Sequence, residues 1–185
     1  MTRLNEAPPE EALAALLACC GSARWAERVA AHRPYPDTAA LLAAADEAAY
    51  DLAPGDVAEA LADEYPAGPH PEAPHGPHVL MALAAAQDAY EEKFGHTFVI
   101  CLDGYRPDEQ LDQILSDIRL RLAHEPDHER EVAAEQLRGV ARGRLRQLAA
   151  GRAEPYPPPG GLSGAPEPAG AVAPVTPVNH AESDR

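Results

Sequence analysis

Apolar positions recur at three- and four-residue spacing along most of this chain, the period of an amphipathic helix. Leu13, Leu16, Leu17 and Cys20 share one face of a segment, 10–20, that follows Pro8-Pro9 and stops at Gly21. Ser22 is placed to cap a second helix running to 32, with Trp25 and Val29 one turn apart, until Arg33-Pro34-Tyr35-Pro36 breaks it. Asp37 caps a third helix carrying Leu41, Leu42, Ala45 and Tyr50. A fourth starts at Pro54-Gly55-Asp56 and turns Val57, Ala60 and Leu61 inward. From Tyr65 to Pro77 the prolines remove the backbone donors a helix needs, which predicts a loop. A fifth helix over 78–94 aligns Val79, Leu83, Ala86 and Tyr90, and Gly95 suits its end. The run Phe98-Val99-Ile100-Cys101-Leu102 has strand composition but no second run to pair with, so it reads as a buried extended segment. Pro107 occupies the expected first position of the strongest amphipathic pattern, Leu111, Ile114, Leu115, Ile118 and Leu122. A last long helix opens at Pro126-Asp127. Glu129 and Glu131 near its start, and Arg142, Arg144 and Arg146 near its end, oppose its macrodipole.

Composition turns this pattern into a fold class. The 185 residues are 45% hydrophobic, carried mainly by Ala and Leu with two Phe and one Trp, which favours helix over strand and gives one core. The expectation is a single all-α, multi-helix domain over 1–152. Beyond Gly151, Pro, Gly and Ala dominate and large aliphatic residues are scarce. Such a composition does not repay ordering entropy, so 153–185 is predicted to be a disordered tail, locally extended at Pro157-Pro158-Pro159.

The formal net charge is −15. The tail contributes −3 of it, from Glu154, Glu167, Glu182 and Asp184 against Arg185, leaving −12 on the domain. An acidic field without a basic stripe excludes nucleic acid as an expected partner. Cys19, Cys20 and Cys101 are odd in number and two are adjacent, which argues against a disulfide framework and for a reducing cytoplasm. They read as small buried hydrophobes, and Trp25 as a core anchor. The N-terminus has no signal-type apolar run, and nowhere do eighteen apolar residues follow one another, so neither export nor membrane insertion is expected.

Candidate chemistry is sparse. His70, His75 and His78 sit in the proline loop or at its edge, where they can be exposed polar residues, proton carriers suited to neutral pH, or metal ligands. Their spacing has no regular helical face and no thiolate nearby, so no metal is expected. Taken alone, Arg144 is a basic residue complementing a helix end.

Four ordered blocks change that picture. Cys19-Cys20-Gly21-Ser22-Ala23-Arg24-Trp25 with Arg33-Pro34-Tyr35-Pro36-Asp37 comes first, and Asp56-Val57-Ala58-Glu59-Ala60-Leu61 second. The third is Ala89-Tyr90-Glu91-Glu92-Lys93-Phe94-Gly95-His96-Thr97-Phe98-Val99-Ile100-Cys101. The fourth is Glu135-Gln136-Leu137 with Arg142-Gly143-Arg144-Leu145. Together they resemble the 2-oxo-4-hydroxy-4-carboxy-5-ureidoimidazoline (OHCU) decarboxylases across nearly all of 4–150.

The resemblance implies an all-helical, homodimeric enzyme without metal or organic cofactor. It converts a small heterocyclic substrate, OHCU, to (S)-allantoin with loss of carbon dioxide in urate degradation. It places Arg144 at the family's arginine, whose planar fork suits anionic or carbonyl oxygens. Phe98, Val99 and Ile100 fall on the substrate-facing segment. The family's His-Pro-Arg-Ile-Gly motif is altered: Tyr65-Pro66-Ala67-Gly68 stands at the ungapped position, so Tyr65 replaces the histidine as a hydrogen-bond donor. A shifted alignment supplies His70-Pro71 instead, with His70 as acid/base. The Glu-Gln motif is missing, and Glu72 is the nearest spare carboxylate. Two further readings follow from these departures: a paralogue that kept the scaffold but binds a ligand or partner without turnover, and proton transfer on another heterocycle.

Overall fold

In the computed structural model the described residues are 2–68, 70 and 75–151. Glu72 and the segment 153–185 lie outside them. The chain runs through α1 (Thr2–Glu6), α2 (Pro9–Leu17), α3 (Ala23–Ala31), α4 (Thr38–Tyr50), α5 (Pro54–Ala62), α6 (Pro77–Phe94), α7 (Gln110–Arg121) and α8 (Pro126–Ala149), with no strand among the described residues. Local chemistry explains most boundaries. Proline begins α2, α5, α6 and α8, where its missing N–H costs nothing. The Ser22 hydroxyl accepts from Trp25 N–H at 3.3 Å and the Asp37 carboxylate from Ala40 N–H at 2.8 Å, so both expected caps form. Gly95 ends α6 at φ 75°, a left-handed position that glycine adopts without strain.

Two apolar clusters share these helices. The larger gathers Leu16, Trp25, Val29, Leu41, Leu61 and Leu145, with Trp25 buried and its indole N–H donating to the Ala45 carbonyl at 2.9 Å. The smaller packs α6 on α7 through Leu83, Tyr90, Phe98, Leu111, Ile114 and Ile118. The extended segment joins them: Val99 belongs to the first cluster, Phe98 and Ile100 to the second.

The structure departs from the periodicity in four places. α1 was not expected; Arg33 holds it by donating to the carbonyls of Leu4 (2.7 Å) and Ala7 (3.0 Å). α7 starts at Gln110 rather than Pro107, because residues 106–109 close a turn in which Glu109 N–H bonds the Arg106 carbonyl. Val79 is 39% exposed rather than inward, since the second cluster begins at Leu83 and the first turns of α6 extend past it. Cys19 and Cys20 are buried as expected, but Cys101 is only half-buried, under Gly139.

That contact makes a test. A Cβ on Gly139 would lie 2.8 Å from Cys101 Cβ, so α8 must carry glycine for the extended segment to approach. Gly139→Ala should cost about 1–3 kcal/mol in overpacking, less the ~1 kcal/mol that alanine returns in helix propensity. A net drop of several degrees in Tm is expected. Gly55→Ala, whose Cβ meets nothing within 4 Å, should hold or raise the Tm.

Candidate functional site

The last turns of α8 carry three arginines, and each reaches sideways rather than serving only the helix end. Arg142 pairs with Asp46 of α4, Arg146 with Asp103 at 3.1 Å, and Arg144 with Glu64 just beyond α5. The Arg144 pair is a two-pronged one. Nη1 donates to Glu64 Oε1 at 2.7 Å and Nη2 to Oε2 at 2.8 Å, and Nη1 also reaches the Cys19 carbonyl at 3.2 Å. This is the fork geometry in which guanidinium recognises any carboxylate. The Glu64 side chain is 5% exposed and that of Arg144 19%, so the arginine is the partner a solute meets first.

The α2–α3 turn and the end of α5 converge on this pair. The turn between α2 and α3 brings the Cys19 carbonyl. Gly21 in the same turn sits so close to Asp63 that a Cβ would be 2.5 Å from Asp63 Cβ, which fixes the end of α5 against it. Burial pushes the Cys19 thiol up to about 12 against the opposing pull of Arg144, and the Cys20 thiol up to about 11. Both thiols therefore stay protonated and inert near neutral pH.

Tyr65 follows Glu64 directly and its hydroxyl oxygen is buried. The chain then passes Ala67, whose carbonyl accepts from Gln87 Nε2 at 2.6 Å and so ties the loop to α6. His70 is half-buried in this loop, and Glu72 lies outside the described residues.

Phe98, Val99 and Ile100 are all buried. Their position is set by a polar cluster that the sequence reading did not single out. Arg121, at the end of α7, donates from Nη1 to the Val99 carbonyl at 2.7 Å, and from Nε and Nη2 to Glu129 Oε1 at 2.8 and 2.6 Å. The Tyr90 hydroxyl donates to the same Glu129 oxygen, while His124 Nδ1 lies 2.8 Å from Glu129 Oε2. The guanidinium also covers the Phe98 ring at 4.5 Å. Burial alone would raise the Glu129 carboxyl, but hydrogen bonds from Arg121, Tyr90 and His124 outweigh it and hold the group below the usual carboxylate range. Burial, followed by the Glu129 hydrogen bond, raises the Tyr90 phenol. Glu129, expected to serve the α8 dipole, is instead a fully buried partner of Arg121. One residue further along the extended segment from Ile100, Cys101 N–H donates to Gln136 Oε1 at 2.8 Å.

An open cleft of about 1010 Å³ is lined by none of Arg144, Glu64, Tyr65, His70 or the Phe98-Val99-Ile100 segment. α5 lines it with Val57, Leu61 and Ala62, the end of α6 adds Phe94, and the corner after it adds His96 and Thr97. In chain order its walls stop two residues before Glu64 and one before Phe98. His96 Nε2 is buried without a hydrogen-bond partner among the described residues. No group of three or more His, Cys, Asp or Glu side chains among the described residues is placed to hold a metal ion. Nor is any described helix long and apolar enough to cross a membrane.

The described residues define a class of all-helical domain in which Arg144, from α8, grips a carboxylate in fork geometry. Comparison with known proteins makes the class specific: the OHCU decarboxylase family matches residues 5–146, and the chain belongs to that family. A crystal structure of an OHCU decarboxylase in the presence of (S)-allantoin superposes with a TM-score of 0.65 at 22% identity, covering 78% of this chain and 99% of that one. An (S)-allantoin synthase gives 0.62 at 20% identity, covering 79% of this chain, which spans 52% of that longer protein. At these identities the likeness is one of fold. No curated protein matches at a significant level.

Proposed function

We propose that this chain decarboxylates OHCU to (S)-allantoin in urate degradation, without metal or organic cofactor. The observation that carries the reading is that Arg144, which the sequence resemblance places at the family's arginine, already grips a carboxylate with both prongs in a chain whose family match spans 5–146. Decarboxylation breaks the bond between a ring carbon and its carboxylate, moves the electron pair into the adjacent ring system and returns a proton to one face. A fixed fork that holds the substrate through its anionic group orients the bond to be broken and the face to be protonated.

In this reading Arg144 binds the substrate, His70 exchanges protons and Tyr65 donates a hydrogen bond. Glu72, Phe98, Val99 and Ile100 complete the pocket. The activity belongs to residues 1–152, with 153–185 dispensable for it, and the working form is a cytoplasmic homodimer. The assay is conversion of freshly generated OHCU followed by circular dichroism. Dextrorotatory allantoin should appear faster than by spontaneous decay, and truncation after Arg152 should leave the rate unchanged.

Two features favour a second reading, a substrate-shifted or catalytically silent paralogue that binds a ligand or partner. Tyr65 stands where the family has histidine, and Glu64 occupies the arginine. Racemic product at the spontaneous rate, together with a Tm raised by allantoin, would select it.

A further inference from the structure

We propose that Glu64 is a catalytic residue: it holds Arg144 until substrate binds, yields the arginine to the substrate's carboxylate while taking up a proton, and delivers that proton to carbon after carbon dioxide leaves. The inference rests on the decarboxylase reading above. Its starting point is that a buried carboxylate fills both prongs of the arginine that the substrate needs. A neutral ion pair offers an incoming anion little net attraction, so substrate must compete with Glu64 for the fork. The difference in exposure gives it access, since the guanidinium is the more open partner.

Two carboxylates on one guanidinium do not both stay ionised in a desolvated site; one of them keeps a proton. The substrate's carboxylate must be ionised to leave as carbon dioxide, so the proton resides on Glu64. The other groups around it do not supply that proton. Cys19 and Cys20 in the α2–α3 turn keep theirs, Glu59 on α5 and Asp63 just after it are further acids, and Arg144 on α8 is the positive charge. The Glu59 carboxylate is already engaged with Ala23 N–H at 3.3 Å.

The balance closes. The ring carbon–carboxylate bond breaks and its electron pair enters the adjacent ring C=N system. The ring nitrogen takes one proton, matched by the proton the hydroxyl loses as it becomes a carbonyl, with His70 as carrier. The ring carbon that bears the ureido group takes the second proton, from Glu64. Glu64 returns to carboxylate and closes again on Arg144, and each turnover consumes one proton from solvent. A Glu64 that starts on Arg144 begins beside the carboxylate it displaces, so its proton reaches one face, as a single enantiomer requires.

The test is Glu64→Gln on the full chain, assayed with freshly generated OHCU. Glutamine can still accept from Arg144 but neither competes as an anion nor gives up a proton. KM should fall severalfold and kcat by about 100-fold or more. In the wild type, binding that takes up one proton makes KM rise about tenfold per pH unit over the alkaline side of its range, and in Glu64→Gln that slope should vanish. A purely structural Glu64 would give a raised KM, a lowered Tm and no change of slope. Should Glu64→Gln fold poorly, the wild-type KM slope alone decides, and a flat profile overturns the proposal. If the wild type turns over OHCU and Glu64→Gln keeps its kcat within twofold, this assignment falls while the decarboxylase reading stands. A wild type without turnover above the spontaneous rate overturns both.

Discussion

Arg144→Ala should reduce kcat/KM for OHCU by about 10²- to 10³-fold, the scale on which one preorganised donor to a reacting anion contributes. The guanidinium reaches Glu64 and the Cys19 carbonyl from α8 through bonds of 2.7 to 3.2 Å, so the fork is set before any ligand arrives. The same substitution strands Glu64 in a site where it is 5% exposed, and an unpaired buried acceptor costs about 1–3 kcal/mol. Activity loss therefore has to be separated from loss of fold. Arg144→Lys does so: a lysine ammonium restores charge to Glu64 and most of the Tm, but as a point charge it does not reproduce the parallel pair of N–H bonds. Steady-state kinetics beside thermal melts should show Arg144→Lys close to wild type in Tm and close to Arg144→Ala in kcat/KM. An Arg144→Lys enzyme with near wild-type kinetics would show that charge alone suffices, and would remove the geometric argument for this site.

Arg144 was conspicuous in the sequence because it lies in an ordered block with a family resemblance. Its partner was not. Glu64 is 80 positions away and sits one residue before the altered Tyr65-Pro66 pair, where nothing about a single glutamate marks it as buried. Periodicity found every helix from α2 to α8, and the caps at Ser22 and Asp37, because those are local events written in three or four residues. It missed α1, which is held by Arg33 from the far end of α3. His70 and Tyr65 were reached by alignment of a proline loop, whose course is set by contacts such as Gln87 to Ala67 that no periodicity encodes. The Arg121 cluster did leave a sign. Leu111, Ile114, Ile118 and Arg121 follow one another at helical spacing, so a charged residue continues an apolar stripe. A charge on a core-facing stripe needs a buried counter-charge, and Glu129, eight positions on, is the acid that meets it.

That cluster carries the largest stability effect. Arg121→Met should destabilise the domain by about 3–5 kcal/mol, because it leaves the Glu129 carboxylate fully buried with only the Tyr90 hydroxyl and His124 beside it. For a domain of this size the loss corresponds to a Tm lower by about 6–20 °C. The loss arises from an uncompensated charge rather than from missing volume, so Arg121→Met combined with Glu129→Leu should recover much of it. The pH dependence separates the two causes further. In the wild type the Glu129 carboxyl is held below its ordinary value, so its contribution is complete above the unfolded carboxylate value and is lost as pH falls through the folded one. In Arg121→Met the interactions that lower it are largely gone and burial raises it instead, so folding now takes up a proton and the variant should gain stability as pH falls through the carboxylate range. Thermal melts from pH 7 down to about 4 would read that reversal directly. Parallel slopes for the two proteins would mean that Glu129 stays ionised without Arg121, and that Tyr90 and His124 suffice to hold its charge. Because Arg121 Nη1 also fixes the Val99 carbonyl, the double variant should fold yet leave the extended segment loosely held, with KM for OHCU raised more than kcat is lowered. Recovery of stability without recovery of KM would mark the ionic cluster as a support of the extended segment that substrate binding depends on rather than as a device for stability alone.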